Sequence, residues 1–313
     1  MKGLELSRCY FEKYGEKALR EAFPELYQRM AIGLAGQGSE CFGFDDELSR
    51  DHDWGPSFCI WLTEKDYLQY GWSVRDIYDR LPRWMDGYGP RKETDQGGGR
   101  VGVLCTQTWY RNFTGFAAGP QTLREWRRVP ESYLAVATNG EIFRDPMGEF
   151  SRIRDHLLDY YPEDIRLKKL AARCARMAQS GQYNYPRCAK RQDPVAMQLA
   201  LSEFIQAAGS AVYLLNRRYM PFYKWIYRGM KDLPILPRAC EMFGRLLTER
   251  RDSLQEEAEA RQQLIERICM LIEGEMERQY LSRGRGLFMQ DHCASLLARI
   301  EDQDLRESHV LAD

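Results

Sequence analysis

The chain has 313 residues, of which 44% are hydrophobic and 29% are charged, so its composition excludes a chain that is disordered throughout. Lys and Arg number 45 and Asp and Glu number 46, and the resulting net charge of −1 excludes a general coat for nucleic acid. No run of about 18 apolar residues occurs, so we expect no membrane-spanning helix.

The first half of the chain predicts short strands separated by helices. Apolar runs bounded by glycine or polar residues predict strands at 30–35, 57–62, 100–108 and 140–144. Helical spacing of apolar residues predicts helices at 4–29, 63–81 and 130–138, with Thr63 as the N-cap of the second.

The second half shows helical periodicity and no strand signal. Helices are expected at 150–159, 163–180, 194–216, 219–231, 236–250, 251–280 and 290–306. The polar segment 181–187, which contains Gly and Pro, predicts a loop between two of them. The chain therefore predicts an α+β protein, with an α/β domain at 1–149 and an all-helical domain at 150–313.

The nine cysteines are scattered and odd in number, and none forms a CxxC pair. We expect reduced, mostly buried thiols in a cytoplasmic protein. The four histidines are far apart in sequence, so a zinc site is not expected.

Charge is distributed unevenly along the chain. Residues 40–95 hold 13 acids and 7 bases, whereas residues 166–231 hold 13 bases and only two acids, Asp193 and Glu203. Two solvated surfaces of opposite sign would explain this asymmetry. So would a metal-collecting acidic site facing an anion-collecting basic site, and the sequence leaves both open.

The residue pattern that indicates a functional site combines two segments, Gly38-Ser39 and Asp51-His52-Asp53. A Gly-Ser pair after a strand exposes backbone N–H groups that suit a phosphate. Two carboxylates at i and i+2 on an extended segment point to the same side, where they can bind Mg²⁺. His52 would then point the other way.

This pattern resembles the motif of the DNA polymerase β-like nucleotidyltransferase superfamily. More narrowly, it resembles DUF4037, a bacterial family of uncharacterised nucleotidyltransferase-like proteins. The resemblance rests on residues 33–61, 140–150, 160–168, 181–193 and 214–225.

The resemblance implies a nucleotidyltransferase-like mixed sheet with flanking helices, followed by a helical bundle. It implies that Asp51 and Asp53 bind Mg²⁺, with two ions possible, and that Gly38 and Ser39 bind the β- and γ-phosphates of an NTP. The reaction would move a nucleoside monophosphate to an acceptor hydroxyl and release pyrophosphate. The acceptor is unknown and could be a small molecule, an RNA end or a protein.

The superfamily usually carries a third carboxylate on a later strand, but residues 100–108 contain no acid. Glu93 or Asp95 could supply it, or Asp193 or Glu203 of the helical half could act as a catalytic substitute. Alternatively, the protein binds nucleotide without turning it over.

The helical half offers cations for the triphosphate. Arg187 and Arg191 share a helix face if the segment is helical, and an Arg fork suits phosphate. A second cluster comprises Asn216, Arg217, Tyr219, Tyr223 and Lys224. By resemblance to antibiotic nucleotidyltransferases, Lys224 would contact the triphosphate.

Two functions from different classes therefore remain. The first is a Mg²⁺-dependent nucleotidyltransferase, and the second is a non-catalytic NTP-binding or regulatory module. The intact Gly-Ser and Asp-x-Asp pair favours the enzyme, and the missing third acid favours the module. Nucleic acid is possible as a partner but not favoured, and the sequence does not indicate an oligomeric state.

Overall fold

A computed structural model describes residues 1–95, 98–248, 250–283 and 286–313. The chain divides into two compact units, Met1–Asp159 and Tyr160–Asp313. The division predicted from the sequence lies earlier, after residue 149, so the helix Glu149–Leu158 falls within the first unit of the structure. That helix is held there by Phe150, whose ring lies 4.1 Å from that of Trp61.

The first unit is built on a mixed four-stranded sheet with the order β3-β2-β1-β4. The strands are β1 Ala31–Leu34, β2 Cys59–Leu62, β3 Gly102–Cys105 and β4 Glu141–Arg144. β1 pairs antiparallel with β2 and β4, and β2 pairs parallel with β3. Every residue of β1 and β2 is buried, as expected for short apolar central strands covered by helices. The predicted α+β fold class is confirmed.

Helices surround this sheet. They span Gly3–Tyr10, Glu16–Ala22, Pro24–Tyr27, Glu64–Asp79, Thr106–Thr114, Leu123–Arg128, Glu131–Thr138 and Glu149–Leu158, and a π-helical stretch at Phe11–Gly15 continues the first of them. The predicted cap is confirmed, because Thr63 Oγ1 accepts a hydrogen bond from Asp66 N at 3.0 Å.

Two predictions for the first unit were wrong. The predicted strand 100–108 ends at Cys105, and a helix begins at Thr106, which buries Trp109 and Tyr110 against Phe150. The helix Leu123–Arg128 was not predicted, although Thr122 and Glu125 carry the sequence signature of the capping box that the structure shows.

The second unit is helical, and none of its described residues lies in a strand. Its helices span Glu163–Met177, Tyr185–Lys190, Pro194–Leu215, Ile226–Met230, Pro237–Thr248, Leu254–Arg278, Cys293–Leu297 and Gln303–Glu307, with a π-helical stretch at Ala178–Asn184 and 3-10 turns at Tyr223–Trp225 and Met289–His292. Residue 249, at the end of one predicted helix, lies outside the described residues. The predicted helices 219–231 and 290–306 were wrong in length, because each is broken into short segments.

The predicted loop at 181–187 was also wrong. The chain is helical there, and Pro186 occupies the first turn of Tyr185–Lys190, where a missing N–H breaks no helical hydrogen bond. Gly181 lies inside the π-helical stretch and allows it to approach Phe204 closely.

Pro194–Leu215 is the one helix among the described residues whose length and apolar composition would let it cross a membrane. Half of its most apolar stretch is buried inside the protein, and Leu201, Phe204 and Ala208 are completely covered. A core helix has the same properties, so this feature is weak support for a membrane assignment.

We predict that Gly181→Ala destabilises the protein. The added Cβ would overlap the buried ring of Phe204, and overpacking of this kind costs about 1–3 kcal/mol of unfolding free energy. Gly274→Ala is the matched control, because Gly274 also lies within a helix but faces open space. It should raise stability by about 0.5–1 kcal/mol through helix propensity. Urea unfolding of both variants tests this, and equal effects would contradict the packing at Gly181.

Candidate functional site

The glycine-rich loop after β1 is held by a side chain that the sequence did not indicate. Gly36 N donates a hydrogen bond to Asn139 Oδ1 at 3.0 Å, and Asn139 Nδ2 donates to Gly36 O at 2.7 Å. Asn139 directly follows the helix Glu131–Thr138. The amide therefore fixes the start of this loop through both backbone groups of one residue.

A buried carboxylate lies beside the predicted phosphate cradle. The carboxylate of Glu40 lies directly against Gly38, on the side where any larger residue would carry its Cβ. Glu40 is buried and pairs with Arg91, whose NH1 lies 3.2 Å from Glu40 Oε1. Phosphate at Gly38 would therefore approach a neutralised ion pair rather than bare backbone amides, and the predicted role of Gly38 and Ser39 stays a prediction.

The predicted geometry of the Asp-x-Asp segment was wrong. Residues 48–50 form a 3-10 turn, Asp51 has helical dihedral angles, and Asp53 has a φ of +51°. The segment is therefore not extended, so the i, i+2 argument for a shared side fails. A local contact explains the turn, because Asp51 Oδ1 accepts from His52 N at 2.8 Å and lies 2.7 Å from His52 Nδ1.

Asp53 is held by partners on the segment that leads to β3. Its Oδ1 accepts from Thr94 N at 3.0 Å, and its Oδ2 accepts from Thr94 Oγ1 at 2.8 Å and from Arg100 NH1 at 3.4 Å. Its side chain is only 10% exposed. Burial opposes ionisation, but the hydrogen bonds from Thr94 and the charges of Arg100 and Arg91 outweigh it and lower the pKa of Asp53.

These residues do not fit a magnesium ion as they are arranged. Both oxygens of Asp53 accept internal hydrogen bonds, and Asp51 is 66% exposed and paired with His52. Nowhere in the described ranges do three or more His, Cys, Asp or Glu side chains come together as metal ligands. β3 carries no acid, and Glu93 and Asp95 are exposed. A cation at Asp53 would compete with the bonds from Thr94 and Arg100 for the carboxylate, and Asp53 belongs to no cluster of three metal ligands among the described residues, so Mg²⁺ stays a prediction of the resemblance.

The acids suggested as substitutes belong to the second unit. Asp193 is the N-cap of Pro194–Leu215, and its Oδ1 accepts from Ala196 N at 3.0 Å. This cap explains why an acid precedes Pro194. Glu203 is exposed on the same helix. A catalytic role for either residue stays a prediction.

Several cations of the basic segment stabilise the second unit from within. Arg166 is buried and donates to Leu214 O at 3.0 Å, Lys168 donates to Ser308 O at 2.8 Å, and Arg173 pairs with Asp313 at 2.7 Å. The 13 cations counted in the sequence are therefore not all available at the surface.

Other cations of the segment are exposed. Arg187, Lys190 and Arg191 make no ion pair with a carboxylate in the part of the chain that the structure describes. The guanidinium of Arg187 lies 4.9 Å from the ring centre of Tyr183, which is 53% exposed. These four residues, Tyr183, Arg187, Lys190 and Arg191, are called the basic face below.

The second predicted cluster divides into packed and exposed residues. Asn216 joins two segments, because its Nδ2 donates to Ile235 O and its Oδ1 accepts from Ile235 N. Tyr219 stacks on Tyr160 with ring centres 4.9 Å apart. Tyr223 is 84% exposed, and Lys224 is exposed beside Trp225. Asn216 and Tyr219 thus have packing roles, whatever they bind.

The cysteines are free thiols, and seven of the nine are buried. Burial raises the pKa of Cys59 to about 12 and that of Cys293 to about 11. Such thiols stay protonated and unreactive at neutral pH.

Comparison with known proteins gives one family and one structural relative. The model of DUF4037, a domain of unknown function, matches residues 126–226, so the resemblance to this family is confirmed over those residues. No curated protein matches the chain. The chain is similar to the crystal structure of a nucleotidyltransferase-like protein from Exiguobacterium sibiricum 255-15, with 10% identity and a TM-score of 0.38 over 91% of this chain and 90% of that one.

We predict that Asp53→Asn lowers the free energy of unfolding at neutral pH by about 1–3 kcal/mol, because it weakens a buried, charge-assisted set of hydrogen bonds. The pKa of Asp53 in the folded protein lies below its unfolded value of about 3.9. The contribution of Asp53 to stability is therefore fully present above about pH 3.9 and is lost as the pH falls through the folded pKa. Urea unfolding across pH measures the difference from wild type, which should shrink below about pH 4.

Asp51→Asn is the matched control for this experiment, because the same change falls on an exposed carboxylate two residues away. It should alter stability by less than about 0.5 kcal/mol. Equal losses of unfolding free energy in the two variants would contradict the stabilising role assigned to the hydrogen bonds of Asp53.

Proposed function

We propose that this protein binds a nucleoside triphosphate on the basic face and does not use it in metal-dependent transfer. The observation that carries the proposal is a group of exposed cations, with no carboxylate partner among the described residues, beside an exposed aromatic ring. Triphosphate oxygens and a nucleobase are the groups that such a surface recognises.

The spacing of these residues supports one shared face. Arg191 N donates to Arg187 O at 3.2 Å, so helical geometry continues from Tyr185–Lys190 to Arg191. Residues four apart on an α-helix lie on the same side, which applies to Arg187 and Arg191. Tyr183 belongs to the preceding π-helical stretch, and its ring lies 4.9 Å from the guanidinium of Arg187. Two guanidinium groups in a row can each bind phosphate oxygens with two parallel hydrogen bonds.

The first unit supports binding without transfer. Asp53 is occupied by Thr94 and Arg100, and the strand on which a third carboxylate would be expected has none. General acid and base catalysis requires a group that can reach the reacting atoms. Of the predicted carboxylates in the first unit, Asp53 is fixed but accepts three hydrogen bonds, and Asp51 is exposed.

The Mg²⁺-dependent nucleotidyltransferase is the second candidate, with an NTP as substrate and an unidentified acceptor. The presence of Gly38, Ser39, Asp51 and Asp53 at the motif spacing favours it. It would require the carboxylate of Asp53 to leave Thr94 and Arg100. Incubation of the full chain with each α-labelled NTP, Mg²⁺ and cell extract tests this candidate, and a labelled product that depends on Asp53 would establish it.

We predict that Arg187→Gln combined with Arg191→Gln weakens NTP binding by about tenfold or more, because each charge-assisted bond contributes about 1.5–3 kcal/mol. The affinity for the matching nucleoside should change little, since it has no phosphate. Isothermal titration calorimetry measures both affinities.

Arg228→Gln is the control, because Arg228 is an exposed cation of the same unit whose partner is Asp232 at 2.8 Å. It should leave both affinities unchanged. If the double variant binds NTP like wild type, or if Arg228→Gln weakens binding as much, the basic face is not the binding site.

A further inference from the structure

A polar pocket of about 360 Å³ lies in the first unit, and none of the predicted motif residues lines it. Tyr10 lines it at the end of the first helix, Tyr78 and Asp79 line it at the end of Glu64–Asp79, and Arg91 and Glu93 line it from the following loop. Pockets that hold small molecules have volumes of about 300–1,000 Å³. This one has room for a small metabolite.

Arg91 is the residue that suggests what the pocket binds. Its side chain is only 7% exposed, and one terminal nitrogen, NH1, donates to Glu40 at 3.2 Å and to Ser57 Oγ at 3.4 Å. Its Nε is buried and has no hydrogen-bond partner among the described residues. Its second terminal nitrogen also makes no hydrogen bond to them. A guanidinium donor without an acceptor costs free energy, and an anionic group bound at this second terminal nitrogen would supply one.

The other charges of the pocket restrict the ligand. Arg83 adds a second cation, and Asp79 and Glu93 add two exposed carboxylates. A polyanion such as a nucleotide would be repelled by these two acids. A molecule with one anionic and one cationic group satisfies both signs.

The aromatic walls are neutral and fixed. Burial raises the pKa of Tyr10 to about 12, so its hydroxyl stays protonated at neutral pH. The hydroxyl of Tyr78 donates to Phe58 O at 2.9 Å and accepts from Phe58 N at 3.1 Å, which holds the ring in place beside β2. These walls suit the apolar part of a small ligand.

We propose that this pocket binds a small zwitterion of the α-amino acid class. The carboxylate would bind the second terminal nitrogen of Arg91, with Arg83 beside it, and the ammonium group would bind Asp79 and Glu93. The proposal concerns a site in the first unit and does not depend on nucleotide binding by the second.

Calorimetry on the full chain with three matched probes tests the proposal. The probes are L-phenylalanine, 3-phenylpropionate, which lacks the amine, and phenethylamine, which lacks the carboxylate. We expect L-phenylalanine or another amino acid from a panel of the twenty to bind, and its two truncated analogues to bind at least about tenfold more weakly. If no amino acid binds, or if the carboxylate analogue binds as well as the amino acid, the proposal is wrong.

Two substitutions in the pocket test whether the amino acid binds there. Arg83→Gln and Glu93→Gln each remove one exposed charge from the pocket, so both should fold, and each should weaken amino acid binding by about fivefold or more. Arg80→Gln is the matched control, because Arg80 is exposed, pairs with Asp76 and does not line the pocket. Unchanged binding in both pocket variants would overturn the assignment.

Discussion

The carboxylate of Asp53 is the constraint on which the arrangement of the first unit's predicted site depends. Hydrogen bonds from Thr94 and the charge of Arg100 join the turn before β2 to the segment before β3. Because β2 and β3 are parallel neighbours, their preceding segments lie at the same edge of the sheet. One buried carboxylate thus stabilises that edge, and the same three bonds use most of the lone pairs that a metal ion would need. Stability and metal binding therefore compete for a single group.

The second unit shows a comparable division of its cations. Arg166, Lys168 and Arg173 bind backbone or side-chain oxygens inside the unit, where buried charges require such partners. Arg187, Lys190 and Arg191 remain at the surface. Counting 13 cations in residues 166–231 predicts that the region is positively charged, but the count does not distinguish buried cations from exposed ones. Arg187, Lys190 and Arg191 are among the exposed cations of the segment, and the proposed triphosphate site uses them.

Much of the fold could be predicted from local signals. β1 and β2 are short apolar runs with clear boundaries, and β4 is a short segment between Gly140 and the turn that begins at Asp145. The hydroxyl of Thr63 accepts a hydrogen bond from the N–H of Asp66, which marks the start of its helix. The helix at Thr106 was missed because Val101 and Val103 before it and Thr106 and Thr108 within it favour a strand, while the burial of Trp109 depends on distant partners. The pairs Glu40–Arg91 and Asp53–Thr94 join residues 51 and 41 positions apart, and no local pattern reports them. The sequence therefore predicts the approximate position of the site, but it does not predict the partners that its carboxylates bind.

The central claim, that the protein binds NTP without a metal held by Asp53, is tested most directly by calorimetry with ATP in EDTA and in Mg²⁺, on wild type and on Asp53→Asn. The account predicts binding in EDTA, and it predicts that Asp53→Asn leaves the affinity unchanged in both buffers. Binding that appears only with Mg²⁺, and that falls by about tenfold or more in Asp53→Asn, would contradict it.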